Sequence, residues 1–281
     1  MNAQSGKLVR LARMLPGAGF RGACFAADHG MQLGPVEGLT DLAAALEDAV
    51  DAGFDAIILS PGALARYASL FAGRDRPAAI LRLDQTTMWR MGGPTGYAQG
   101  DTRLLASVEE AARMGADAVI TYFFVGHRDP ALETRMFEIA GAVARAARSL
   151  GLVYVAEPMA ARDGLYERVF DGETVAINAR MAVEIGADAV KCDWPGSVAG
   201  CRRVVAATMG APVLIAGGPR QGGDADTLRL VAALLEGGAH GVMFGRALFQ
   251  SPRRLALMRA VRAMIHDNLP LEAAERMVQE A

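Results

Sequence analysis

Short runs of β-branched and other apolar residues recur at 22–28, 56–60, 79–84, 118–124, 152–157, 189–193, 213–216 and 241–244. Runs of this length, bounded by turn-forming residues, predict buried strands. Between them, segments such as 39–52, 107–114, 133–150, 174–185, 226–235 and 252–265 carry apolar residues at helical spacing. Strand and helix therefore alternate throughout. A local repeat supports the register: Ala52-Gly53-Phe54-Asp55-Ala56, Met114-Gly115-Ala116-Asp117-Ala118, Ile185-Gly186-Ala187-Asp188-Ala189 and Gly237-Gly238-Ala239-His240-Gly241 each join a helix to a strand. In each, a glycine suits the left-handed position that ends a helix, and the next turn launches the strand.

Eight strand–helix units without a linker, a low-complexity tract or a shift in composition predict an α/β fold, a single (β/α)₈ TIM barrel. It would span residues 1–281 as one domain: an N-terminal extension over 1–20, the barrel over 21–268 and a tail or helix over 269–281. A doubly wound sheet is the alternative, but no GxGxxG fingerprint follows the first strand.

Composition narrows the function. With 52% hydrophobic residues in 281 the chain can bury a deep core, which excludes disorder. Acidic and basic residues stand at 31 against 29, so there is no basic field to hold nucleic acid or an anionic membrane. No apolar run of about 18 residues occurs, and Lys7, Arg10 and Arg13 interrupt the first twenty positions, so a membrane span and a secretory signal are not expected and a cytoplasmic location is. Cys24, Cys192 and Cys201 have no CxxC spacing and are expected as reduced thiols.

Only Lys7 and Lys191 are lysines, and arginine supplies the rest of the 29 basic residues. Positions that tolerate either cation have gone to arginine, so a remaining lysine needs a reason. Lys7 is read as a solvated charge in a frayed terminus, whereas Lys191 ends the apolar run Ala187-Asp188-Ala189-Val190. Strand alternation puts residues 189, 191 and 193 on one face and Val190, Cys192 and Trp194 on the other, which points Lys191 into the barrel. Desolvation there favours neutral amine, and neutral amine attacks ketones to give a Schiff base whose iminium is an electron sink. The alternative is a lysine paired with Asp28, Asp84 or Asp193 for packing alone.

In a TIM barrel the chemistry sits at the C-terminal ends of the strands. Those ends carry Asp28 with His29, Ser60, Asp84, Tyr122 with Phe124, Glu157, Lys191 with Asp193, Gly217 with Gly218, and Gly245 with Arg246. Carboxylates and a lysine converging on one pocket suit a site better than a core. Barrels often hold phosphate on the loops after the last two strands, and Gly217, Gly218, Gly245 and Arg246 fall there. The loop Pro219-Arg220-Gln221-Gly222-Gly223 could close over it. His29 either shuttles protons or orients Asp28. His127 lies in the loop after the fourth strand. Trp89 and the glycine-rich stretch 92–96 form a loop after the third. His240 and His266 fall away from the top face, so neither a metal nor a cofactor is expected.

Phe25-Ala26-Ala27-Asp28-His29-Gly30, Gly186-Ala187-Asp188-Ala189-Val190-Lys191, Ile215-Ala216-Gly217-Gly218 and Gly245-Arg246-Ala247-Leu248-Phe249-Gln250 resemble the archaeal-type class I fructose-bisphosphate aldolase family, also called the DeoC/LacD aldolase family. Its members include fructose-bisphosphate aldolases, 2-amino-3,7-dideoxy-D-threo-hept-6-ulosonate synthase and the autoinducer-2 thiolase. The resemblance implies Lys191 as the Schiff-base lysine, Asp28 as a carboxylate assisting proton transfer, and Gly217, Gly218, Gly245 and Arg246 as the phosphate site. It also implies a homo-oligomer. The aldolase and synthase branches carry a tyrosine acid/base before a proline where this chain has Glu157 and Pro158. Glu157 is expected to take that role if burial raises its pKa, and His29, Asp84 and Asp193 are further pocket residues. The resulting expectation is a class I aldolase acting on a phosphorylated ketose. The alternatives are an acyl-transferring thiolase on the same barrel and a non-catalytic phosphosugar-binding barrel.

Overall fold

The computed structural model describes residues 3–91, 97–164, 167–220 and 222–281. Eight parallel strands close into a barrel: β1 (Gly22–Ala26), β2 (Ala56–Leu59), β3 (Ala78–Arg82), β6 (Ala118–Val125), β7 (Val153–Ala160), β8 (Ala189–Asp193), β9 (Val213–Ala216) and β10 (Gly241–Phe244). Between β3 and β6 a two-stranded antiparallel ribbon, β4 (Asp84–Thr86) and β5 (Thr102–Leu104), sits outside the barrel order. Helices follow the barrel strands, as the periodicity predicts.

The alternation of strand residues decides which side chains fill the barrel and which meet the helices. Cys24, Ala26, Ala56, Ile58, Ala78, Ile80, Ala118, Ile120, Val153, Val155, Ala189, Leu214 and Met243 form an inner cluster of small and branched side chains. Their neighbours in sequence, such as Phe25, Ile57, Leu81, Val190, Cys192 and Ile215, belong to the larger cluster beneath the helices. Continuing the inner face upward, the apolar layers give way to Arg82, Tyr122, Glu157 and Lys191. Polarity thus rises along one face of the same strands, and a site begins where the packing layers end.

The repeat has a physical cause at the opposite end. Gly53, Gly115, Gly186 and Gly238 are all left-handed, with φ of 74°, 80°, 118° and 82°. Two residues on, each polar residue makes a two-point bond to one residue of a neighbouring strand. Asp55 donates its N–H to the Ala23 carbonyl and accepts the Ala23 N–H on Oδ2 at 2.7 Å. Asp117 does the same with Ala79, Asp188 with Tyr154, and the His240 ring with Val213. Each side chain satisfies a strand-initiating amide that would otherwise be buried without a partner.

The N-terminus is not a frayed tail. Ala3–Met14 is a helix laid across the bottom of the barrel, with Met14 and Leu15 plugging the inner cluster. Its cations meet the repeat loops: Lys7 Nζ lies 2.6 Å from Asp188, Arg13 lies 3.1 Å from Asp117, and Arg10 donates to the Gly151 carbonyl. Helices Pro61–Tyr67 and Val198–Ala207 were also not marked by periodicity, and residues 271–279 are helical. Glu157 lies inside β7 rather than at its end, because the strand continues through Pro158. Proline is tolerated there because the β7–β8 ladder pairs only Val155 and Ala156. Asp28 lies beyond β1, and Asp84 begins the ribbon rather than ending β3. Among the described residues, no helix is long and apolar enough to cross a membrane.

Candidate active site

A cavity of about 130 Å³ opens at the C-terminal ends of the barrel strands, and it is lined by Lys191, Glu157, Asp28, His29, Asp193, Gly217, Gly218, Gly245 and Arg246 together with Tyr122 and Trp89. The expected pocket residues therefore converge, with one exception. Asp84 is fully buried behind Arg82 and does not reach the cavity. Its carboxylate accepts the Tyr122 N–H at 2.7 Å, and burial pushes its pKa up to about 7.

Lys191 is 6% exposed, and Nζ lies 2.8 Å from Oε1 of Glu157. Its partner is thus none of the three aspartates considered from sequence. The other Glu157 oxygen is held by Arg82, which the sequence reading missed. Arg82 is completely buried. Its Nε donates to Asp28 Oδ2 at 2.7 Å, one terminal nitrogen lies 3.4 Å from Asp84, and the other donates to Glu157. Its guanidinium also lies 3.9 Å from the Tyr122 ring centroid. One planar cation with a fixed fork of donors therefore organises three carboxylates. The available signal was alternation: Ile80, Arg82 and Asp84 share a face, and an arginine at an inward position of an apolar strand requires buried partners.

This arrangement reverses one expectation. Burial raises the Glu157 pKa, but Lys191 and Arg82 outweigh it and the net direction is down. Glu157 is a carboxylate at neutral pH, because two cations flank it. Asp28 behaves alike: burial opposes ionisation, yet Arg82 and Lys191 bring its pKa to about 2. His29 is pulled down to about 4 by burial, so its ring is neutral at pH 7, and its Nδ1 has no hydrogen-bond partner among the described residues. Asp193 is pushed up to about 6 by burial.

The glycine turns sit where a phosphate site was expected. Gly218 is left-handed at φ 64°, and a Cβ on Gly245 would collide with the His29 ring. Buried Arg246 Nε has no partner among the described residues. His127 lies outside the cavity: its Nδ1 is 3.1 Å from Asp163, which also accepts the Gly100 N–H. His240 and His266 lie at the barrel bottom, as expected. Residues 92–96 and Gln221 lie outside the described residues.

The family model for DeoC/LacD family aldolases matches residues 23–251. The 2-amino-3,7-dideoxy-D-threo-hept-6-ulosonate synthase of Halobacterium salinarum is 34% identical over 248 residues, which cover 88% of this chain and 87% of that protein. The class 1 fructose-bisphosphate aldolase of Thermoproteus tenax is 31% identical over 249 residues, covering 87% and 89%. A solved archaeal fructose-1,6-bisphosphate aldolase, with its catalytic lysine covalently bound to a carbinolamine intermediate, aligns with a TM-score of 0.78 at 28% identity, covering 94% of this chain and 99% of its own. By its matched length, its barrel and its relatives, this chain belongs to the DeoC/LacD aldolase family.

Proposed function

We propose that this protein is a class I aldolase that makes or breaks a carbon–carbon bond in a phosphorylated ketose through an iminium on Lys191. The observation that carries the reading is a buried lysine in the cavity, with Glu157 2.8 Å from its nitrogen and the Gly217–Gly218 and Gly245–Arg246 turns on the same cavity wall. Glu157, a carboxylate at rest, accepts the ammonium proton and releases it to solvent, and the neutral amine adds to the ketone carbon, a proton passing from nitrogen to the new alkoxide to give the carbinolamine. Loss of water gives the iminium. A carboxylate then takes the proton of the hydroxyl on the carbon beyond the breaking bond, the bond electrons flow to the iminium nitrogen, and aldehyde and enamine separate. Asp28 and Glu157 are the bases within the cavity. Phosphate bound at the glycine turns and Arg246 would fix the ketone's distance from Lys191.

Incubation with borohydride tests this reading. Activity should be lost irreversibly only when a phosphorylated ketone such as dihydroxyacetone phosphate is present, with one reduced adduct gained per chain. Equal inactivation with and without ketone would overturn it.

A further inference from the structure

The proposed sequence needs a proton at the carbinolamine, to carry its hydroxyl off as water, and the groups nearest Lys191 are poor sources. Asp28 and Glu157 share the Arg82 guanidinium and rest as carboxylates, suited to take protons rather than supply them, the His29 ring is already neutral, and Asp84 is shut out of the cavity. Asp193 differs from all of them. It stands two residues beyond Lys191 on β8, so alternation puts both side chains on the inner face. It lines the Lys191 cavity and also a neighbouring chamber of about 580 Å³ that shares the Gly217–Gly218 turn. Among the described residues its carboxyl makes no hydrogen bond and no ion pair. The charged groups facing it are Arg162 from the loop after β7, Glu157 on β7, Lys191 on its own strand and Arg246 after β10. Burial outweighs the three cations, and the pKa rises to about 6.

We propose that Asp193, as the carboxylic acid, is the proton donor for dehydration of the Lys191 carbinolamine, an assignment that rests on the Schiff-base reading above. Its O–H proton passes to the carbinolamine hydroxyl and the C–O bond breaks with its electron pair leaving on water. The nitrogen lone pair becomes the second C–N bond of the iminium. Asp193 is left as a carboxylate and regains a proton from solvent at the cavity mouth. Freedom from a fixed partner suits the role, because a carboxyl paired with Arg82 rests ionised and serves as a base, whereas a donor must hold its proton until the carbinolamine forms.

The test is a rapid-mixing borohydride quench of the full chain with dihydroxyacetone phosphate, over a range of pH, for the wild type, Asp193→Asn and Asp193→Glu. Asp193→Asn should slow iminium trapping roughly a hundred-fold while native mass spectra retain the undehydrated adduct. The wild-type rate should fall as pH rises through about 6, and Asp193→Asn should lose that limb. Asp193→Glu, which keeps a carboxyl on a longer arm, should recover part of the rate with the limb displaced. If Asp193→Asn does not fold, Asp193→Glu decides: a displaced limb supports the assignment and an unmoved one overturns it. Wild-type trapping by Asp193→Asn with an unchanged pH profile overturns the role of Asp193 while leaving Lys191 as the nucleophile. A wild type that yields no adduct overturns the Schiff-base reading and this assignment with it.

Discussion

The two rims of the barrel use polar residues in opposite ways. At the bottom, Asp55, Asp117, Asp188 and His240 each serve one neighbouring backbone residue at both its N–H and its C=O. These contacts are repeated, local and complete. At the top, Asp28, Asp84 and Glu157 share a single guanidinium, Glu157 also grips Lys191, and Asp193 has no hydrogen-bond or ion-pair partner among the described residues. Polar groups that recur with the repeat and are individually satisfied hold the fold, whereas groups that occur once and share partners gather around the cavity, the pattern expected of a site.

Substitutions at the two rims should separate loss of turnover from loss of stability. Lys191→Met should reduce turnover about 10⁴-fold or more with little change in the urea midpoint. Residual turnover within ten-fold of wild type would remove the top rim from the chemistry. Arg82→Leu should cost about 3–5 kcal/mol, because it leaves buried carboxylates without their cation, and urea unfolding would measure this. A loss below about 1 kcal/mol would mean that Asp28, Asp84 and Glu157 are not held as the geometry indicates.

Glu157→Gln should lower turnover about 10²-fold with stability nearly intact, and unchanged turnover would mean that the proton acceptor is another group. Asp188→Ala should show the reverse pattern. It should lose about 1–3 kcal/mol, from an unsatisfied Tyr154 amide and an unpaired Lys7, while kcat/KM per folded molecule is unchanged.

Much of this contrast was legible in the sequence. The runs at 189–193, 213–216 and 241–244 match their strands to the residue, because each is a short apolar run stopped by glycine or tryptophan. Lys191 stood out by scarcity, and alternation alone turned it inward. Arg82 was hidden because the run 79–84 reads on to Asp84 and sets the strand end two positions too late, and because arginine is common in this chain. The ribbon was not legible, since three-residue strands leave no period to read. The N-terminal helix was missed for a different reason: its cations look solvated until the bottom loops that receive them are in place. Direction also failed for Glu157. Burial was anticipated, but the sign of its shift depends on Lys191 and Arg82 meeting it from two strands.

The most direct measurement is peptide mapping after borohydride reduction in the presence of dihydroxyacetone phosphate. The chain has two lysines, at positions 7 and 191, so the map carries its own control: Lys7 is salt-bridged at the barrel bottom and Lys191 faces the cavity. The expected result is a ketone-dependent adduct on the Lys191 peptide and none on the Lys7 peptide. An adduct on Lys7 alone, or none on either lysine while phosphate ligands still bind, would contradict the account.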